Sequence, residues 1–289
     1  MMMSAQYKTV PPQPLQRHVE ISEGAFNLET LKYPDHGSVD SFLLHAESLH
    51  VHDHASITTA SVDYKVKQFE NVRWCVVERC PKMHTVFHLN LSPLPKESFQ
   101  SLETFRASHL KQVECIWSRK IRFYDGREEH LPAFGKLRYL HLHSCPSLKF
   151  VLPWSFATLP SLEIIHVTYC DELRQIFPRG EPYRGRCATS IEFPSLKRIH
   201  FHELPKLICE ADMLAPALET IKLRGCWSLR RLPTIHNGGA NDKPLVLVDC
   251  EKDCWDKLDW SGMEESRNLF APSHSGFYRK TMLRGTPLR

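Results

Sequence analysis

No stretch of this sequence reads G-x-x-x-x-G-K-[ST], the loop whose backbone amides cradle nucleotide phosphates. Gly135–Lys136 lacks the upstream glycine and runs on into Leu137. G-x-G-x-x-G, H-E-x-x-H and G-x-S-x-G are also missing, and with them the local signatures of dinucleotide, zinc-protease and serine-hydrolase chemistry. Asp and Glu are scattered through turns without a defined carboxylate pair, so the expectation is no enzyme and no cofactor. The formal charge is only +4. With no RNP motif, zinc-finger spacing or long Arg/Lys run, nucleic acid is not an expected partner. No apolar run approaches the roughly 18 residues of a membrane span. The opening residues, MMMSAQYKTVPPQPLQRH, hold nothing like the apolar core of a secretory signal. An N-x-S sequon at Asn90–Ser92 is followed by Pro93. The expected location is cytoplasmic.

The sequence does contain a frame. In Phe134–Leu152, apolar residues fall at Leu137, Leu140, Leu142, Cys145, Leu148 and Val151; in Leu159–Phe177 they fall at Leu162, Ile165, Val167, Cys170, Leu173 and Ile176. The offsets are identical and spell L-x-x-L-x-L-x-x-C-x-x-L, a leucine-rich repeat. The L-x-L core has period 2, so both leucines face one side of a short strand. The Cys site, three residues on, suits a small side chain where the chain leaves the strand. The frame recurs at Leu196, Ile199, Phe201, Leu204 and Leu207, and in full at Leu218, Ile221, Leu223, Cys226, Leu229 and Leu232. Upstream it returns at Val72, Cys75, Val77, Cys80, Met83 and Val86, then at Leu102, Phe105, Ala107, Leu110, Val113 and Ile116. Its most worn copy is Ala46, Leu49, Val51, His54 and Ile57. Leu245, Leu247 and Cys250 are read as the start of a last strand. One unit cannot bury its own apolar face, so the units must stack. The predicted fold is α/β: a right-handed solenoid with a single curved parallel sheet on the concave face and an irregular or short-helical convex side.

Of the ten cysteines, Cys80, Cys145, Cys170, Cys226 and Cys250 are expected in one repeat column, as packing thiols in a reducing compartment. The predicted organisation is a flexible leader over 1–40, a repeat domain with its cap over 41–262, and a basic tail over 263–289. The cap rests on Trp255, Leu258 and Trp260. Two charged excursions, Ser118–Leu131 and Pro178–Glu192, read as surface loops.

Residues flanking the inward leucines must line the concave floor. The central row reads His50, Val76, Arg106, His141, His166, His200, Lys222; the next reads His52, Glu78, Ser108, His143, Thr168, His202, Arg224; the preceding row includes Trp74, Tyr139, Ile164 and Arg198. The candidate partner-binding residues are Tyr139, His141, His143, His166, His200, His202, Lys222 and Arg224. A flat row of imidazoles is poorly disposed to give zinc its four tetrahedral ligands, so no metal is assigned. The strip from His50 to His54 divides between outward and turn positions, which weakens it as one site. Imidazoles that titrate near pH 6.5 make the face sensitive to mild acid, with weaker folding or altered binding expected near pH 5.5.

The units LRYLHLHSCPSLKFVLP, LPSLEIIHVTYCDELRQIFP, FPSLKRIHFHELPKL and LETIKLRGCWSLRRLP resemble the leucine-rich repeat region of plant nucleotide-binding, leucine-rich-repeat disease resistance proteins. The ending VDCEKDCWDKLDW through YRKTMLRG resembles that of grass members. The resemblance covers roughly 40–289. It implies a non-catalytic recognition module of innate immunity without its own nucleotide-binding switch. The partner would be a pathogen effector, a guarded host protein or a nucleotide-binding immune receptor domain. The alternatives are a leucine-rich-repeat substrate adaptor of a ubiquitin ligase and a metal-binding protein using the concave His row.

Overall fold

A computed structural model describes residues 13–24, 45–60, 69–90, 99–120, 134–151, 159–177, 191–208, 213–235, 245–261 and 267–274. Most of both charged excursions, the sequon beyond Asn90, the first twelve residues and the last fifteen lie outside the described residues. Ten strands form one parallel sheet: β1 (His18–Ile21), β2 (Ser48–His52), β3 (Trp74–Glu78), β5 (Thr104–Ser108), β7 (Tyr139–His143), β8 (Ile164–Thr168), β10 (Arg198–His202), β12 (Thr220–Arg224), β13 (Val246–Asp249) and β14 (Phe270–Ser273), in that spatial order. Four further strands lie on the other side of the core. β4 (Thr85–Asn90) pairs with β6 (Cys115–Lys120), and β9 (Ile191–Glu192) pairs with β11 (Met213–Leu214). Where irregular or short-helical segments were expected, the described convex side therefore carries short parallel β pairs. A one-turn helix, α1 (Lys252–Trp255), belongs to the cap. No helix among the described residues is long and apolar enough to cross a membrane.

The register follows the repeat offsets. Leu49, Cys75, Phe105, Leu140, Ile165, Ile199 and Ile221 pair in one continuous file across seven strands. These residues and their partners two places on are buried. An aromatic spine, not anticipated as a column, underlies them. Phe69, Phe99, Phe134 and Phe193 each stand three residues before the first repeat leucine or its Val72 equivalent, with Leu159 and Ala215 in the same place. From Leu102 onward, the amide of that leucine donates to the carbonyl of the spine residue at 3.0–3.3 Å, which closes the turn into the strand. Phe87, Phe105 and Trp117 pack against the spine with ring centroids 4.7–6.0 Å apart. The F-x-x-L spacing in FQSL, FGKL and FPSL carried that signal.

Two further files fix how the coils stack. The residue after each strand takes a left-handed backbone: Asp53, Arg79, His109, Ser144, Tyr169, Glu203 and Gly225, with φ between 48° and 63°. From Asp53 to Glu203, its amide donates to the last strand carbonyl of the next coil at 2.7–3.2 Å. The non-glycine residues carry a strain that this bond offsets. At Gly225 the acceptor is instead the Glu251 carboxylate, at 3.0 Å. The same carbonyls receive the column cysteines: Cys80, Cys145, Cys170 and Cys226 donate S–H to the residue two places back at 3.4–3.6 Å. The second file precedes each strand and alternates in sign: Arg17, Glu47, Arg73, Glu103, Arg138, Glu163, Lys197, Glu219. Each amide after Arg17 donates to the preceding member's carbonyl at 2.7–2.9 Å. Side chains pair across it at Arg17–Glu47, Arg73–Glu103 and Arg138–Glu163, at 2.7–3.0 Å.

Three expectations change. Cys145, Cys170 and Cys226 share the inner file, but Cys250 does not. Lys222 pairs with Asp249, so Cys250 follows in line with Leu223. In β13 the inward residues are Val246 and Val248 (1% and 0% exposed), while Leu245 and Leu247 point out (54% and 46%). The LVLV run is apolar on both faces, and a one-residue slip exchanges them. Finally, β1 lies inside the stretch read as a leader and β14 inside the stretch read as a tail, and both pair into the sheet. Between β13 and β14, Trp255, Leu258, Trp260 and Cys254 close over the last coil, with Trp260 5.7 Å from Phe270.

Candidate functional site

The concave floor consists of the outward residues in register. His50, Val76, Arg106, His141, His166, His200 and Lys222 pair as neighbours in that order; so do His52, Glu78, Ser108, His143, Thr168, His202 and Arg224. All eight candidate residues lie on this floor. Tyr139, at the start of β7, stands between Thr104 and Ile164 in its row and has the Arg138 guanidinium 5.3 Å from its ring.

The central imidazoles touch. His141 meets His166 edge-to-face at 5.5 Å, and His166 stacks on His200 at 4.5 Å with ring planes 11° apart. Burial lowers all three pKa values, with smaller contributions from cationic neighbours: His141 to about 3, with Arg106 next to it; His166 to about 4, with His143 and Arg106; His200 to about 4, with His166 and Lys222. The row is thus neutral at pH 7. His141 Nδ1 is buried without a hydrogen-bond partner among the described residues. Stacked rings offer faces to each other and do not aim their nitrogens at one point, so the row does not support the metal-binding alternative.

The second row is wetter. His143 shares a 2.7 Å hydrogen bond with Thr168 and meets His109 and Tyr169 edge-to-face; Tyr169 in turn meets His202 at 5.0 Å. Tyr169 is an exposed aromatic residue on the left-handed turn, a surface feature the repeat frame did not single out. Arg224 pairs with Asp249 at 3.1 Å. Three positions read as outward are covered, Val76 among them. Trp74 is buried, with its indole N–H donating to the Gln13 carbonyl at 3.2 Å and its ring 5.3 Å from His18; Thr168 is buried beneath His143.

At the N-terminal end of the floor the chemistry differs. Glu20 on β1 pairs in register with His50. His52 Nε2 lies 2.6 Å from Glu20 Oε1, and its Nδ1 lies 2.8 Å from Asp53 Oδ2. His50 Nε2 lies 3.2 Å from Glu78 Oε1. Arg79 grips Asp53 at 2.6 and 2.7 Å and Glu78 at 2.7 Å. The His52 pKa is raised: burial pulls it down, but the hydrogen bonds to Asp53 and Glu20 prevail. Glu78 is held down to about 2, chiefly by the His50 hydrogen bond. His54 stands apart in the turn, where its Nδ1 accepts the Ile57 amide at 3.2 Å. The strip from His50 to His54 divides as expected. The Glu20 contribution was invisible because β1 lacks the repeat signature.

A family described as "Plant disease resistance protein RPS2-like, leucine-rich repeats" matches residues 18–159, starting where β1 starts. Three proteins of Arabidopsis thaliana that bear disease resistance names also align. At4g19050 is 30% identical over 65% of this chain, the disease resistance protein RPS5 27% over 52%, and the disease resistance protein At4g27190 23% over 59%. The chain spans only 14%, 17% and 16% of their respective lengths.

Proposed function

We propose that this chain, whose residues 18–159 match leucine-rich repeats of the plant disease resistance type, is a non-catalytic protein-recognition module of plant innate immunity. On this reading it acts in the cytoplasm, and the concave floor is the contact surface. Its partner is a pathogen effector, a guarded host protein or a nucleotide-binding immune receptor domain. The observation that supports the reading is the register. Tyr139, His141, His143, His166, His200, His202, Lys222 and Arg224 are separated by up to 85 positions, yet they form adjacent rows on one face. A neutral, aromatic-edged centre flanked by cationic Arg106, Lys222 and Arg224 has the make-up of a protein interface, where aromatic and Arg anchors dominate. No described element adds to the ubiquitin-ligase adaptor reading.

The test is immunoprecipitation of the tagged chain from infected and uninfected plant tissue, with the captured proteins identified by mass spectrometry. A His166→Glu/Lys222→Glu variant is compared with wild type and with the cap variant Lys257→Glu. The reading requires a partner that wild type and the cap variant capture and the floor variant loses. Identical capture by all three refutes it.

A further inference from the structure

We propose that Glu20, His50 and His52 form a binding site for a first-row transition-metal dication, with Zn2+ as the reference ion, at the N-terminal end of the concave floor. The ligand atoms of these three residues all lie within 4.8 Å of one another, the one such group among the described residues. Tetrahedral bonds of 2.0–2.2 Å place ligands about 3.4 Å apart, a spacing bracketed by the separations here, from 2.6 Å between His52 Nε2 and Glu20 Oε1 up to 4.8 Å. His-x-His on a strand puts both imidazoles on one face, and the parallel register brings Glu20 alongside His50. Two nitrogens and one oxygen suit zinc, and a fourth position stays open to water or to a side chain of a partner.

The hydrogen-bond partners of the two imidazoles point to a metal independently of the ligand count. Metal-bound imidazoles are oriented by a carboxylate on the ring's other nitrogen. His52 has that arrangement: Nδ1–H donates to Asp53 at 2.8 Å, and Arg79 clamps Asp53 in turn. His50 has it too, with Nε2–H donating to Glu78 at 3.2 Å, leaving Nδ1 as its ligand atom. Glu78 is itself held by Arg79 and by the Ser108 hydroxyl at 3.2 Å. Three carboxylates against one guanidinium leave the cluster net negative, which favours a cation. On binding, Zn2+ takes the place of the proton between His52 Nε2 and Glu20, and that proton passes to solvent.

The experiment uses the full 289-residue chain, stripped of metal and kept reduced, titrated with Zn2+ alone in a calorimeter. The expected result is one Zn2+ per chain. His50→Ala or His52→Ala should weaken affinity about 100-fold or more, and Asp53→Asn about 10- to 100-fold. Glu20→Gln, an exposed and near-isosteric change, should weaken it about 10-fold without touching the fold; circular dichroism verifies that each variant is folded. His166→Ala/His200→Ala should bind as wild type. Absence of zinc uptake overturns the proposal and leaves the cluster an ion-pair network. Uptake that survives His52→Ala, or that disappears with His166→Ala/His200→Ala, also overturns it. With Co2+ in place of Zn2+, a thiolate-to-metal charge-transfer band would put the ion on cysteine and equally refute it; a spectrum without that band supports it.

Discussion

Lowering the pH from 7 to 5 should destabilise the fold through its central row. His141, His166 and His200 have folded pKa values of about 3, 4 and 4, against about 6.5 in an unfolded chain. As pH falls through 6.5, the unfolded chain takes up protons that the folded row refuses, so stability drops steadily until about pH 4. Between pH 7 and 5 the linkage amounts to about 2 kcal/mol per imidazole, a ceiling of about 6 kcal/mol for three. His166 and His200 are only partly shielded, and solvent screening brings the figure to about 3 kcal/mol. His52 works the other way: its raised pKa adds stability below pH 6.5. The net fall in Tm should be about 5–10 °C, measured by calorimetry at fixed ionic strength. His141→Gln/His166→Gln/His200→Gln removes the titrating groups and should flatten the curve. The same slope in wild type and in this variant would refute the desolvation argument, as would a flat wild-type curve.

Leu140→Ala or Ile165→Ala should cost about 2–5 kcal/mol, since each empties a fully packed site between adjacent coils; urea melts check this. His166→Ala alone should leave the fold intact and shift Tm by only a few degrees; a collapse would mean that the side chain faces the core. Eight cysteines are buried free thiols, and burial raises the pKa of Cys226 and Cys250 to about 12, so a chromogenic disulfide should label at most two of the ten quickly until denaturant is added. Glu103→Lys places a third cation between Arg73 and Arg138 and should destabilise by about 1 kcal/mol at low salt, recovering in high salt.

The part of this architecture that was legible is the part built on fixed offsets. Two inward apolar residues and a small residue three places on define face, register and turn together, so β2, β3, β5, β7, β8, β10 and β12 could be placed and the outward rows followed by subtraction. What escaped lacked one of those markers. His18–Ile21 has no leucine pair and is placed by its pairing with β2 and by the packing of Val19 and Ile21 on the core. Leu245–Val248 is apolar on both faces, so alternation alone cannot choose between them. Cover on the floor was also out of reach: Trp74 is shielded by residues from Gln13 to His18, and no local pattern announces such a contact. The pH sensitivity was anticipated from the imidazole itself; burial moves the titration of the central row to lower pH, which local spacing does not encode.

The alternating charges before each strand have a consequence for ancestry. Copying or deleting a single coil within that ladder would set two like charges side by side, whereas copying or deleting two together leaves the order of signs intact. The seam thus has a parity: a change by an even number of coils keeps it matched, and a change by an odd number restores it only with a compensating charge reversal.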